Sequence, residues 1–276
     1  SDKKIIKKIE YKKIKYNKKN NKQEFNKKII REVTNKKNSC NFIGTTINSK
    51  EVNPGNLFIA IKGKNKDGHN YINEAIKNKA NYCVVSKSIK GINSKKMIDC
   101  KNTNIFLNRL AFFKRKYSQA KIIAITGSSG KTSAKSVLGN ILSKYGNTFY
   151  SKKSYNNHYG VPISLSNLES DHEYGIFEVG MSKAGEINKL SKLIKPDLAV
   201  ITNTGEAHIE NFKNIKSIAN AKAEIINNIK KGGYLILNRD DKFFNYIKHL
   251  AKKKKINVLS FGFSNKSEIK IIKTSY

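Results

Sequence analysis

The 276-residue sequence predicts an α/β protein, with a small N-terminal α/β domain followed by a mainly parallel sheet flanked by helices. Three observations carry that expectation. Short apolar runs of strand length recur along the chain, and most are near-continuous, as in strands buried on both faces. Stretches with helical spacing separate them. One apolar run passes through a glycine turn directly into a helix, at Gly127-Ser128-Ser129-Gly130-Lys131-Thr132.

The elements follow in order. Residues 1–24 are dominated by lysine, with Ile5, Ile6, Ile9, Tyr11, Ile14 and Tyr16 as apolar members. They read as a basic extension that fits a strand, a helix edge or a flexible arm. A first domain is expected over 25–117. There Asn53-Pro54-Gly55-Asn56 signals a turn ahead of the strand Leu57-Phe58-Ile59-Ala60-Ile61. Residues 71–79 read as a helix with Ile72, Ala75 and Ile76 on one face, and Tyr82-Cys83-Val84-Val85 as the next strand. Residues 104–116 set Ile105, Leu107, Leu110, Ala111 and Phe113 largely at helical spacing, predicting a helix that leads out of the domain. A second domain is expected over 118–276, opening with the strand Ile122-Ile123-Ala124-Ile125. Ile176-Phe177, Leu198-Ala199-Val200-Ile201, Tyr234-Leu235-Ile236-Leu237 and Val258-Leu259 continue the theme, with helices predicted at 133–145, 186–194, 215–229 and 242–251. Residues 267–272 look like one more strand. Ligands of such sheets collect at the carboxyl ends of strands, where the motifs below lie.

Composition narrows the partners. The net charge is +35, but lysine is spread through nearly every segment and the aromatics do not interleave with it as a stacking platform would require. That evenness favours biased composition, so no specific nucleic-acid partner is expected. No apolar run approaches the ~20 residues needed to cross a bilayer, and Ser1-Asp2-Lys3-Lys4 does not open a secretory signal. Cys40, Cys83 and Cys100 lack CxxC spacing and read as reduced thiols, so a cytoplasmic location is the expectation.

The chemistry centres on the glycine turn. Glycines let backbone N–H groups approach a phosphate, and the helix N-terminus favours negative charge. Lys131 would supply a point charge at the β/γ-phosphates and Thr132 a hydroxyl for Mg²⁺. The general Walker pattern has glycine where this chain has Ile125. Glu178 follows a strand and so points from the sheet edge beside the loop, where a carboxylate suits Mg²⁺. His208 follows another strand and by itself reads as a hydrogen-bonded structural histidine. Lys222 by itself reads as a solvated helix lysine, yet Ala219, Ala221 and Ala223 would allow close packing.

With Thr126-Gly127 in place of the longer Walker loop, this P-loop ATPase-like segment resembles the Mur ligase superfamily. Further stretches follow in the family's order: Asn156-Asn157-His158-Tyr159-Gly160-Val161-Pro162, Phe177-Glu178-Val179-Gly180-Met181, Gly185-Glu186-Ile187, Ile201-Thr202-Asn203-Thr204-Gly205-Glu206-Ala207-His208 and Ala221-Lys222-Ala223-Glu224-Ile225. Upstream, Asn48-Ser49-Lys50-Glu51-Val52-Asn53-Pro54-Gly55-Asn56-Leu57-Phe58, Lys62-Gly63 and Asp67-Gly68-His69 look like its first domain. The glutamate motif and the paired asparagines are nearest to the branch that adds D-alanyl-D-alanine to UDP-N-acetylmuramoyl-tripeptide. Two departures stand out: Asn48-Ser49-Lys50 replaces the usual Asp-Ser-Arg, and Thr204 stands where isoleucine is commoner.

The resemblance implies an ATP-dependent peptide ligase using Mg²⁺ and an acyl phosphate in peptidoglycan synthesis. It implies catalytic roles for Lys131, Lys222 and His208, and metal ligation by Thr132, Glu178, His208 and Lys222, the last as a carbamate. Gly127, Ser128, Ser129, Gly130, Lys131, Thr132, Asn238 and Asp240 would hold the nucleotide. Ser49, Lys50, Asp67, His69, Asn156 and Asn157 would hold the substrate. A monomer is expected, with the middle domain incomplete, a third domain lacking, and ligation by this chain alone therefore impossible. The rival readings are a folylpolyglutamate-type amide ligase and, in another class, a basic nucleic-acid-binding protein.

Overall fold

The computed structural model describes residues 18–35, 40–207 and 209–272. Two sheets organise them, and every paired strand within them runs parallel. The smaller sheet has the order β1 (Thr45–Thr46), β2 (Leu57–Ile59), β3 (Tyr82–Val85) and β4 (Met97–Asp99). The larger one comprises β5 (Lys121–Thr126), β6 (Thr148–Tyr150), β7 (Tyr174–Glu178), β8 (Leu198–Ile201), β9 (Tyr234–Asn238), β10 (Asn257–Gly262) and β11 (Ile269–Lys270). Its order is β11-β10-β9-β8-β5-β7-β6, so the chain winds outward in both directions from β5. Such a reversal opens a crevice at the carboxyl end of the strand where it occurs. That strand ends in Gly127.

Burial explains why the apolar runs form the centre. Ile122, Ala124, Ile125, Ile176 and Ala199, from three adjacent strands, are wholly excluded from solvent. One face of the sheet is covered by the helix Lys131–Leu142 through Ala134, Leu138 and Leu142, joined by Tyr150. The other face carries the helices Gly160–Ser166, Glu186–Ile194, Ile215–Ala223 and Phe244–Lys253. The helix predicted at 104–116 spans Thr103–Tyr117 and packs against both sheets' clusters, with Leu107 and Leu110 in one and Ala111 in the other.

Several elements escaped the sequence reading. The helix Lys18–Thr34 buries Ile29, Ile30 and Val33, and it runs across the expected domain limit at residue 24. The strands β1, β4 and β6 have two or three residues each, too few for periodicity to register. Gly160–Ser166 is helical although it contains Pro162; a proline in the first turn removes only an N–H that the helix cannot use. The helix predicted at 215–229 ends at Ala223 and tightens to a 3₁₀ turn over Glu224–Asn228. The strand expected at 267–272 is the two-residue β11.

Polar side chains join the two sheets. Asn167 accepts from the Thr45 amide at 2.8 Å and donates to the Thr45 carbonyl at 2.9 Å. Buried Lys114 donates to Asn26 at 2.5 Å and to Glu169 at 3.0 Å. Arg115 caps the end of Glu186–Ile194 by donating to the carbonyls of Ile194 and Lys195. Glu51, from the smaller sheet's loops, pairs with Lys153 and accepts from the Tyr155 hydroxyl. The three cysteines are free thiols, and no described helix is long and apolar enough to cross a membrane.

Candidate active site

The glycine loop sits where β5 meets the helix Lys131–Leu142. Two glycines make its path possible: Gly127 has φ 151° and Gly130 φ 77°, both in the region that side chains disfavour. A side chain at Gly127 would also collide with Thr202, whose hydroxyl donates to the Ser129 carbonyl at 2.6 Å. Gly130 occupies the cap position without a side-chain cap, so the helix's leading N–H groups are offered to a ligand. Asn203 braces the loop from the end of β8: its carbonyl oxygen accepts from the amides of Ser128 (3.1 Å) and Ser129 (3.0 Å). Ser128 reaches the other way and donates its hydroxyl to the Gly205 carbonyl at 3.0 Å.

Lys131 folds back over the loop and donates to the Gly127 carbonyl at 2.8 Å. Burial lowers its pKa, with Glu178 opposing. Thr132 donates to Glu178 Oε2 at 3.0 Å and shares a hydrogen bond with Ser154 at 2.9 Å. Glu178 is only 3% exposed, and Asn156 donates to its Oε1 at 2.9 Å. Thus β7, the loop and the segment before Gly160 converge on one carboxylate.

A cavity of about 620 Å³ opens beside the loop. Gly127, Ser128 and Lys131 form one end, Asn156, Asn157 and His158 one wall, and Met181, Glu186 and Lys189 another. Lys222 closes it from Ile215–Ala223 and is 2% exposed. Burial first, and then the charge on Lys131, bring the Lys222 pKa down to about 8, with Asp241 opposing. The small alanines around it do permit the close packing inferred from sequence: Ala219, Ala221 and Ala223 are all buried. Asn157 lines the cavity and also accepts from the Tyr159 and Gly160 amides, starting the next helix.

Other sequence-selected residues lie apart. Asn238 and Asp240 do not line the cavity. Asn238 accepts from the Asp240 amide, while Asp240 accepts from the amides of Phe263 and Ser264 and so fixes the turn beyond β10. Ser49, Lys50, Asp67 and His69 belong to the smaller sheet's loops and are also outside the cavity. Ser49 donates to Glu74 at 2.5 Å. His69 Nε2 accepts from the Ser86 amide at 2.9 Å, so the ring proton sits on Nδ1, 2.5 Å from Asp67. Lys87 and His69 hold the Asp67 carboxyl well below the usual range. Lys50 is exposed. His208 lies outside the described residues. Sequence reasoning passed over Asn203, Ser154, Lys189 and Lys135, whose places depend on contacts between distant segments; only Asn203, just past a strand, carried a usable signal.

Known proteins resemble this chain over most of its length. The pattern described as the Mur ligase middle domain matches residues 125–275, and that of the Mur ligase family catalytic domain matches 41–112. UDP-N-acetylmuramoyl-tripeptide–D-alanyl-D-alanine ligase of Rickettsia prowazekii is 42% identical over 85% of this chain and 52% of its own length. The Escherichia coli enzyme of that name is 35% identical, covering 71% of this chain and 43% of its own. MurF from Acinetobacter baumannii superposes with a TM-score of 0.74 at 30% identity, over 88% of this chain and 53% of that one. MurF ligase from Thermotoga maritima in complex with ADP gives 0.67 at 32% identity, over 81% and 51%. The chain spans about half the length of the curated relatives it matches. From the loop, the carboxylate beside it and a family pattern that runs from residue 125 to residue 275, the chain belongs to the Mur ligase family.

Proposed function

We propose that this chain carries the ATP site and the UDP-sugar site of a ligase joining D-alanyl-D-alanine to UDP-N-acetylmuramoyl-tripeptide in peptidoglycan synthesis. The carrying observation is the cavity that runs from the phosphate loop to buried Lys222. The relatives' names and an ADP-bound relative support it.

Mg²⁺ fits the donor set. Thr132 offers a hydroxyl and Glu178 a carboxylate, both hard oxygen ligands, beside a loop shaped for phosphate. Among the described residues no three His, Cys, Asp or Glu side chains gather around one point. A metal that keeps waters and phosphate oxygens as ligands does not need such a cage. When bound, Mg²⁺ would supply positive charge to the phosphates, held by Thr132 and Glu178, with Lys222 as a carbamate and His208 as the proposed partners.

The residues divide the work. Lys131 leaves its loop carbonyls for the phosphate oxygens and offsets charge gathering there. The tripeptide's terminal carboxylate attacks the γ-phosphorus, and the bond to ADP breaks. The amine of D-alanyl-D-alanine then attacks the acyl carbon to form the N–C bond. The C–O bond breaks, phosphate leaves with its electron pair, and the nitrogen gives up one proton, which the departing phosphate can accept. Asn156 and Asn157 orient the reacting groups along one wall of the cavity. Ser49, Lys50, Asp67 and His69 are assigned to the nucleotide-sugar side, and Asn238 and Asp240 to the adenine side.

The test is binding. The chain is expected to bind ATP and UDP-N-acetylmuramoyl-tripeptide in calorimetry. Lys131→Ala should weaken ATP at least ~tenfold, about 1.4 kcal/mol, while leaving UDP-sugar affinity unchanged. Failure of the parent chain to bind either ligand would sink the reading.

A further inference from the structure

Glu178 has three donors around it, and one of them, Lys135, belongs to no role assigned above. Lys135 lies on Lys131–Leu142, one turn beyond Lys131 on the same helix face. It is wholly excluded from solvent. Its Nζ donates to the Lys153 carbonyl at 2.8 Å and lies 3.4 Å from both Ser151 Oγ and Glu178 Oε2. Both members of the ion pair are therefore buried, with side chains 0% and 1% exposed.

A buried ion pair is a poor way to stabilise a core. Desolvating two charges costs several kcal/mol per ion, and apolar side chains of similar volume often serve stability as well or better. The position would accept methionine if packing were its only task. What the lysine does that methionine cannot is fix a carboxylate. Oε1 of Glu178 is held by Asn156 and Oε2 by Thr132 together with Lys135. The same ammonium pins residues 151 and 153, whose neighbour Ser154 touches Thr132. Remove it, and Oε2 keeps one hydroxyl partner while the segment beside Thr132 loses one of its anchors, the bonds of Lys153 and Tyr155 to Glu51 remaining.

We propose that Lys135 is a positioning residue, which orients the Glu178 carboxylate and the Thr132 hydroxyl toward a nucleotide-bound divalent cation. The proposal rests on the reading of Glu178 and Thr132 as the cation's ligands. It concerns how the carboxylate is aimed, and Lys135 itself touches neither nucleotide nor substrate.

The experiment titrates Mg²⁺ against the binding of a fluorescent ADP analogue to the full chain. Lys135→Met should raise the Mg²⁺ concentration for half-maximal enhancement about tenfold or more, the usual effect of losing a partner of a metal ligand, with Mg²⁺-free binding nearly unchanged. Glu178→Gln should show its own Mg²⁺ defect, and adding Lys135→Met to it should give a clearly smaller shift than Lys135→Met gives alone, because the lysine acts in large part through that carboxylate. If Lys135→Met does not fold, Lys135→Gln replaces it, keeping a donor for the Lys153 carbonyl without the charge. A Lys135 variant titrating like the parent, or effects that add in full with Glu178→Gln, overturns the proposal alone. A parent chain with no Mg²⁺-dependent nucleotide binding overturns it together with the site reading beneath it.

Discussion

Lys222 shows how much a single side chain's surroundings decide. In a chain with net charge +35, one more lysine is unremarkable by composition. Burial beside Lys131 nonetheless brings its pKa to about 8, and a neutral amine is what carbon dioxide requires. Loss of one proton leaves that amine. Its addition to carbon dioxide forms an N–C bond, opens one C=O π bond onto oxygen and releases a second proton, so a cation becomes an anion beside Lys131. With ¹³C-bicarbonate at fixed dissolved CO₂, the carbamate NMR signal should grow from pH 7 to pH 9 and vanish in Lys222→Ala; a signal indifferent to that substitution places the adduct elsewhere. The sign for stability follows too. Between about 8 and the unfolded value of 10.5 the unfolded chain holds a proton that the folded one has lost, so rising pH favours folding across that window. The loop was legible in the sequence because its parts are contiguous in the chain, from Gly127 to Thr132. Lys135 was not, because its partner Glu178 lies 43 positions away, and a lysine four residues after the loop lysine looks like any other helix lysine.

At the scale of elements, β3 and β8 were legible to the residue, since runs such as Leu198-Ala199-Val200-Ile201 are long enough to stand out. The seven-residue helix Gly160–Ser166 was not, because its Gly-Val-Pro opening suggests a turn, and its burial comes from the helix Thr103–Tyr117 laid across it. The helix Lys131–Leu142 presents a sharper case. Gly139 faces the ring of Tyr150 on β6, and a Cβ there would come within 2.5 Å of the ring's Cγ. Gly139→Ala should gain helix propensity yet lose more to overpacking, for a net cost of about 1–2 kcal/mol. The same helix carries Lys131 and Thr132 in its first turn, so ADP affinity should fall along with the melting temperature. Unchanged melting with unchanged affinity would show that Tyr150 yields freely.

For the whole molecule, the sequence suggested two domains, and the connections between the sheets were its least legible feature. They rest on side chains such as Lys114 and Glu169, whose pairing spans 55 positions. Burial lowers the Lys114 pKa while Glu169 opposes the shift. Lys114→Met leaves Glu169 without its cation and should cost about 3–5 kcal/mol, whereas Lys114→Met combined with Glu169→Gln should recover part of that loss. Denaturant titrations of the three proteins decide it, and a double variant no more stable than the single one would show that the pair is uncoupled.

Asn167 bears on how copies of this protein meet in solution. Parallel sheets present unpaired N–H and C=O groups along their outermost strands, and such rows invite a strand from another molecule. On β1 the outward-facing amide and carbonyl of Thr45 are both taken by one carboxamide, and the strand is two residues long. An incoming chain would have to displace both bonds to add itself there, and would gain almost no ladder in return. The side chain that ties one sheet to the other therefore also guards that margin against aggregation.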